Sequence, residues 1–467
     1  MLQPSVTQAK RLGDEPLYTL KDLPKSKIFL LGLQHTFAMF GATILVPLLT
    51  GLSISTTLLM AGLGTLLFHL ITGGKVPAFL GSSFAFLGGY AAVAPMQNGV
   101  VDPEQLRYAG GGIIVAGIIY LILAVLIRVF GVARIMRFFP PVVTGPIIIA
   151  IGLILSPTAI QSASQDWLLA GIAIAGIVVC NIWGKGMIKI IPIIVGLGLA
   201  YIVAVVLQRV DFSSIHQVLE QGRFVEFPVH TNAFAKFNIS AIITIAPIAL
   251  ATIMEHIGDI SAISATTGNN YIAKPGLDKT LAGDGLATIF AAFFGGPANT
   301  TYGENTGVLA LTKVYAPGIT RVAACFAIVL SFFPLLSEFI RTVPTAIIGG
   351  VSLILYGMIS AIGVRNVVEN QVDFTKSRNL IVAASILVCA LGFNSFVNAA
   401  GERVSGLTFH IGGASITLSG LAIAALVGII LNAVLPGKDY SFTVEEHKDT
   451  GVNFSGTDTT KQGHQQA

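Results

Sequence analysis

The chain has 467 residues, 54% hydrophobic and 11% charged, with a formal net charge of +4 and a mean hydropathy of +0.80. Soluble domains carry about 25% charged residues, so a water-soluble globular protein is excluded. The long apolar runs also exclude a β-barrel, whose strands alternate over about ten residues, and leave an all-α polytopic membrane protein.

Residues 1–26 are polar, with Lys10, Arg11, Lys21 and Lys25, and lack the apolar core of a cleavable signal peptide. The first span is therefore expected to act as its own insertion signal. A hydrocarbon core of about 30 Å asks for about twenty apolar residues per helix. The first half supplies such runs at 27–50, 54–73, 77–94, 109–130, 139–158, 167–184 and 188–208. A polar connection, 209–239, follows with Asp211, His216, Arg223 and Glu226. The second half supplies 240–262, 281–296, 297–312, 318–340, 343–363, 380–397 and 415–436, and a polar tail occupies 438–467. The third and tenth runs are broken by Pro, Gly and Ser or Thr.

Fourteen spans place both tails on one side. With the tails cytoplasmic, 21 of the 27 Lys and Arg residues lie inside and 6 outside (Arg107, Arg209, Arg223, Lys236, Arg341 and Arg403). The positive-inside rule then predicts cytoplasmic tails at 1–26 and 438–467 and an extracytoplasmic connection at 209–239. Seven spans on each side of a linker put the second copy upside down, the inverted-repeat plan of secondary transporters. The predicted repeats are 27–208 and 240–437. Internal echoes agree: Pro140 and Gly145 follow Arg137 at the same spacing as Pro344 and Gly349 follow Arg341. Gln34-His35 in the first span matches Glu255-His256 in the eighth. The two broken runs also occupy corresponding places in the halves, which points to a binding site between them.

The stretch 295–313, GGPANTTYGENTGVLALTK, sits among apolar spans yet opens on a Gly-Gly-Pro breaker and stays polar. Irregular backbone at membrane depth is tolerated only around a cavity or inside protein, so a broken helix lining a polar site is expected. The bland reading is a re-entrant or extramembrane loop. Intramembrane carboxylates mark functional sites, and they are few: Glu255, Asp259, Asp284 and Glu304. Glu255 and Asp259 are four apart and share one helix face. Two adjacent carboxylates in a poorly solvated site cannot both ionise easily, which makes the pair a candidate proton acceptor. The bland alternative is a structural hydrogen-bond network between packed helices. Carboxylates accept hydrogen bonds, whereas the N–H groups of half-helix starts donate them. A planar heterocycle alternating N–H and C=O suits that mixture, with Phe84 or Phe86 offering a stacking face. An anion would be repelled, and an inorganic cation would call for more convergent oxygen ligands. Cys180, Cys325 and Cys389 lie in apolar runs and suggest neither a disulfide framework nor a metal site, and no cofactor is expected.

On these residues the chain resembles the nucleobase–ascorbate transporter (nucleobase:cation symporter-2) family, and within it the bacterial uracil permeases. The resemblance runs from about Leu30 to Leu435 and rests on LGLQHTFAMFGATILVP, KVPAFLGSSFAF, EHIGDI and NTTYGENTGVLALTKVY. The last holds the family signature as Glu304, Asn305, Gly307, Thr312 and Lys313. The resemblance implies fourteen spans in two inverted repeats, a core domain (spans 1–4 and 8–11), a gate domain (5–7 and 12–14), and short strands in spans 3 and 10. It implies that Glu255 and Glu304 bind a pyrimidine edge, that the backbone around Phe84 and Gly303 clasps the ring, and that Gln34, His35 and Asn305 order the site. Glu255, Asp259 and Asp284 become the candidates for proton coupling. It further implies a proton-coupled nucleobase importer, a homodimer joined through the gate domain, and the cell (inner or plasma) membrane.

Two positions depart from the uracil pattern: Asp259 stands where those carriers have His, and Asp284 where they have Asn. Purine-carrying relatives often have Asp at both, which keeps xanthine or another purine open as substrate. An anion carrier or channel on the same fold would need a positive site, and no Lys or Arg falls within the spans expected to form it. A membrane enzyme would need a nucleophile–base pair or metal cluster, and no His, Cys or Asp grouping has that spacing. No nucleic-acid partner is expected.

Overall fold

The computed structural model describes residues 16–437 apart from 22, 97–99, 186, 398–400, 402 and 412–413. Residues 1–15 and 438–467, which hold most of the expected cytoplasmic tails, lie outside the described residues. The helices that correspond to the spans of the first half are α1 (Lys25–Thr50), α2 (Ile54–Ile71), α3 (Leu87–Val93), α4 (Pro103–Phe130), α5 (Pro141–Ala163), α6 (Trp167–Trp183) and α7 (Pro192–Val206). Those of the second half are α8 (Ile239–Thr267), α9 (Leu277–Phe293), α10 (Gly303–Thr312), α11 (Pro317–Ser331), α12 (Thr345–Glu369), α13 (Ser377–Gly392) and α14 (Gly420–Val434). Strand β1 (Leu80–Ser82) and a 3-10 turn, Phe84–Phe86, precede α3, and strand β2 (Asn299–Thr301) precedes α10. The third and tenth spans are thus a short strand followed by a half-helix.

Several boundaries differ from the sequence reading. The run 318–340 is not one span: Pro317–Ser331 bends by 85° into Pro334–Arg341, where Pro334 starts a new helix. The run 415–436 starts inside a hairpin, with Leu407–Ile411 paired antiparallel to Ala414–Leu418, and its helix begins only at Gly420. The end of the run 380–397 likewise leaves the helix, and Phe396–Val397 pairs with Arg403–Val404. Apolar, β-branched residues fit strands as well as helices, so hydropathy alone could not separate them. The connection 209–239 contains a short helix, Ser213–Glu220, and a 3-10 turn, Thr231–Ala233.

The inverted repeat is visible in the packing. Helices α5 and α12 cross with glycines placed reciprocally. A Cβ on Gly145, near the start of α5, would meet Val367 Cγ2 at 2.3 Å, near the end of α12. A Cβ on Gly349, near the start of α12, would meet the Ala163 nitrogen at 2.2 Å, at the end of α5. The strands show the same symmetry. Thr65 of α2 brackets Leu80 of β1, its hydroxyl donating to the carbonyl at 3.2 Å and accepting from the amide at 2.9 Å. Thr288 of α9 brackets Asn299 of β2 in the same way, at 3.0 and 3.2 Å.

Two bundles result. One gathers α1–α4 and α8–α11, the other α5–α7 and α12–α14, and α8 against α5 and α14 is a main seam between them. Successive spans alternate in direction, so the start of α1 and the end of α14 lie on one face, here termed the tail face. The connection 209–239 lies on the other.

Candidate functional site

Strands β1 and β2 pair antiparallel at the middle of the first bundle, Leu80 opposite Thr301 and Ser82 opposite Asn299. The ladder continues outward with Ser83 N donating to Ala298 O at 2.8 Å and Tyr302 N to Phe79 O at 3.1 Å. Tyr302 locks the crossing. Its hydroxyl donates to Ser82 O at 2.9 Å and lies 3.2 Å from the Ser82 hydroxyl and 3.4 Å from that of Thr43 on α1. Its ring lies where a Cβ on Gly81 would stand, at 2.4 Å, so glycine is what lets the two strands approach. After the strands, the chain turns into two half-helices whose first-turn N–H groups, from Phe84 and from Gly303, have no intrahelical acceptor. These ends carry the positive pole of each half-helix.

The expected site residues fall in and around this crossing. Glu304 is in the first turn of α10, half-buried, beside Gly303. Glu255 and Asp259 are buried on α8, and the carboxylates of Glu255, Asp259 and Glu304 lie within electrostatic reach of one another. Asp259 accepts a 2.7 Å hydrogen bond from Thr301 of β2, which ties α8 to the strand. Gln34 and His35 are buried on α1. Asn305 donates to His35 O at 3.1 Å with His35 Nδ1 also 3.0 Å away, so α1 and α10 are joined there. Phe84 is buried and meets Tyr356 of α12 edge-on at 5.8 Å, bridging the bundles, so in this state its ring packs against protein.

Asp284 is set apart. It is fully buried on α9 and pairs with His256 Nδ1 at 2.8 Å. His256, the neighbour of Glu255 in the internal echo, is therefore hydrogen-bonded across a helix interface. Thr301 is not among the candidates read from the sequence, although the polar strand NTT between glycines is a usable signal for it.

A cleft opens between the bundles toward the tail face, lined by Asp259, Ala262 and Thr266 of α8, Gly303, Thr306, Gly307 and Ala310 of α10, and Ile362, Arg365, Asn366 and Glu369 of α12. Its inner end reaches Asp259 and Gly303. The cleft does contain an arginine, because α12 runs six residues past the expected end at 363. Arg365 is paired with Glu369, Nε to Oε1 at 2.5 Å, so it adds no net positive charge. The arrangement can hold a small planar polar solute between donors from two half-helix starts and acceptors from α8 and α10, beside the cleft that reaches Asp259 and Gly303.

The Xan_ur_permease family model, described as Permease family, matches residues 26–398. The chain is 37% identical over 445 residues to a protein named uracil permease from Bacillus caldolyticus, covering 91% of this chain and 96% of that one. It is 36% identical over 441 residues to one of the same name from Bacillus subtilis (strain 168), covering 89% and 94%. Among solved structures, that of SLC26A9 matches with TM-score 0.64 at 13% identity, over 89% of this chain and 66% of that one. The transmembrane domain of the cyanobacterial bicarbonate transporter BicA matches with TM-score 0.57 at 14% identity, over 90% and 99%. At such identities these two likenesses concern the fold alone.

Proposed function

The chain belongs to that permease family, and from this premise we propose that it is a proton-coupled symporter that imports a nucleobase, uracil, by alternating access. The observation that carries the reading is the paired strand-and-half-helix crossing with Glu255 and Glu304 beside it, joined to an exit cleft at Asp259 and Gly303. Names carried by relatives at 36–37% identity supply the substrate. In this reading Glu255 and Glu304 accept the ring N–H groups of the pyrimidine, and the first-turn amides after Ser83 and Tyr302 donate to its carbonyls. Asn305, His35 and Gln34 hold α1 and α10 in register, and Phe84 covers one face of the ring.

Protonation of Glu255, with Asp259 and Asp284 behind it, couples uptake to the proton gradient. The bundle of α1–α4 and α8–α11 serves as the core that carries the solute, and the bundle of α5–α7 and α12–α14 as the gate through which two copies dimerise. The tails face the cytoplasm and the protein resides in the cell (inner or plasma) membrane. Asp259 and Asp284 favour a second reading, a xanthine or other purine permease of the same family. Uptake of labelled uracil, xanthine and hypoxanthine into proteoliposomes, with and without an inward proton gradient, decides between them. Uracil accumulation that depends on the gradient is expected, whereas gradient-driven uptake of xanthine alone would establish the second reading.

A further inference from the structure

Behind the strand crossing, on the far side of α8, His256 meets Asp284 in a contact of which the transport scheme above uses only Asp284. Both side chains are wholly buried, and His256 Nδ1 lies 2.8 Å from Asp284 Oδ2. Successive residues of a helix point about 100° apart. Glu255 thus shares the face of Asp259, which lines the cleft, and His256 turns toward α4 and α9. There the ring of Tyr120 stands edge-on to the imidazole at 6.5 Å. His256 Nε2 and Asp284 Oδ1 are buried with no hydrogen-bond partner among the described residues. A histidine kept only to fill space has no need of a carboxylate partner, and an aspartate in this interior is costly unless its charge is compensated.

We propose that His256 and Asp284 are a proton-sharing pair, in which His256 is the positioning residue that keeps Asp284 compensated while Glu255 gains and loses its proton. The proposal rests on the proton-coupled reading given above. The two arrangements of the pair, a carboxylic acid donating to imidazole or a carboxylate accepting from imidazolium, hold the same number of protons and are both neutral overall. Passing the proton across the 2.8 Å contact therefore redistributes charge behind α8 without drawing a proton from water. The titratable groups within electrostatic reach of Asp284 are Glu255 and Asp259 on α8 and Tyr120 on α4, and Glu304 on α10 acts on the first two. An ion pair that can form or collapse beside Glu255 changes the field at that carboxylate as it gains and loses its proton. Without the imidazole, Asp284 is either a fixed charge or a fixed neutral acid, and that adaptability is lost.

The test uses His256→Gln in purified, reconstituted full-length protein. Glutamine can hydrogen-bond to Asp284 but cannot carry the proton. Uracil counterflow without a gradient is expected to stay within about threefold of wild type, and gradient-driven accumulation to fall by about tenfold or more, the scale of about one pKa unit at the coupling carboxylate. The dependence of accumulation on external pH is expected to flatten. If His256→Gln does not reach the membrane, His256→Asn, an amide that likewise cannot carry the proton, carries the same expectation. Accumulation equal to wild type at pH 6 and pH 8 would overturn the proposal. So would equal loss of counterflow, accumulation and thermal stability, which marks a packing role. A wild type that exchanges uracil but never accumulates it refutes the proton-coupled reading instead, and is told apart by needing no variant.

Discussion

In the proposed reading, recognition turns on the side chains of Glu304 and Glu255. A carboxylate at 304, beside first-turn amides of α10, offers only acceptors where a pyrimidine offers N–H groups, while the amides donate to its carbonyls. Glu304→Gln keeps the shape but exchanges one acceptor oxygen for a donor. Facing a ring N–H, that donor leaves an unpaired buried group worth about 1–3 kcal/mol, or about 5- to 150-fold in affinity. An amide flip recovers part of the loss, so the lower end is expected. A competition series against labelled uracil measures it, and undiminished uracil affinity in the variant would sink the assigned role. Glu255→Gln removes the titratable group at nearly constant size. It should abolish uphill uptake with the protein still folded in the membrane, and full accumulation at pH 6 would take Glu255 out of the coupling scheme. The i, i+4 pairing of Glu255 with Asp259 could be read from spacing alone. The contacts between elements could not: Thr301 reaches Asp259 across 42 residues and His256 reaches Asp284 across 28, and no local periodicity records such contacts.

At the scale of elements, the two broken spans were legible because their breakers are chemical. Gly-Ser-Ser after Pro77 and Gly-Gly-Pro before Asn299 cannot continue a helix cheaply, and the strands form where they stand. The hairpin Leu407–Leu418 escaped the reading because its second strand lies at the start of a run apolar enough to pass for a span and its first strand falls between two such runs. Beyond its backbone ladder, the crossing of β1 and β2 is tied by the Tyr302 hydroxyl, which is not among the signature residues. Tyr302→Phe leaves Ser82 O and the hydroxyls of Thr43 and Ser82 without their shared partner in a buried place. The expected cost is about 1–3 kcal/mol, seen as a lower unfolding temperature in detergent and weaker uracil binding. Unchanged values of both would show that the strand pair does not rely on Tyr302. The α5–α12 crossing is a second such element: Gly349→Leu would drive a side chain into the backbone at Ala163. Overpacking of this kind costs about 1–3 kcal/mol or more, so a sharp loss of folded protein on size-exclusion chromatography is expected, and a monodisperse variant with normal uptake would show that the two helices can part there.

For the molecule as a whole, the inverted plan followed from counting: seven spans, a linker and seven more can only place the halves upside down to one another. Which face is cytoplasmic rests on the 21 to 6 division of positive residues, and the cleft provides a way to test it. Gly307 of α10 lines that cleft, is exposed, and has nothing within 4 Å of the place a Cβ would take, so a side chain can be added there without strain. It sits between the half-helix start and the tail face, on the exit side of the crossing. Gly307→Cys, in a background with Cys180, Cys325 and Cys389 replaced by Ser, should react with a membrane-impermeant maleimide in inside-out vesicles and stay unreactive in intact cells. Uracil should slow the reaction in vesicles, because a solute held against Gly303 narrows the cleft and favours the state in which the bundles close over it. Labelling from outside intact cells would reverse the assigned orientation. Labelling in vesicles that uracil leaves unaffected would mean that this cleft is not the path by which the solute departs.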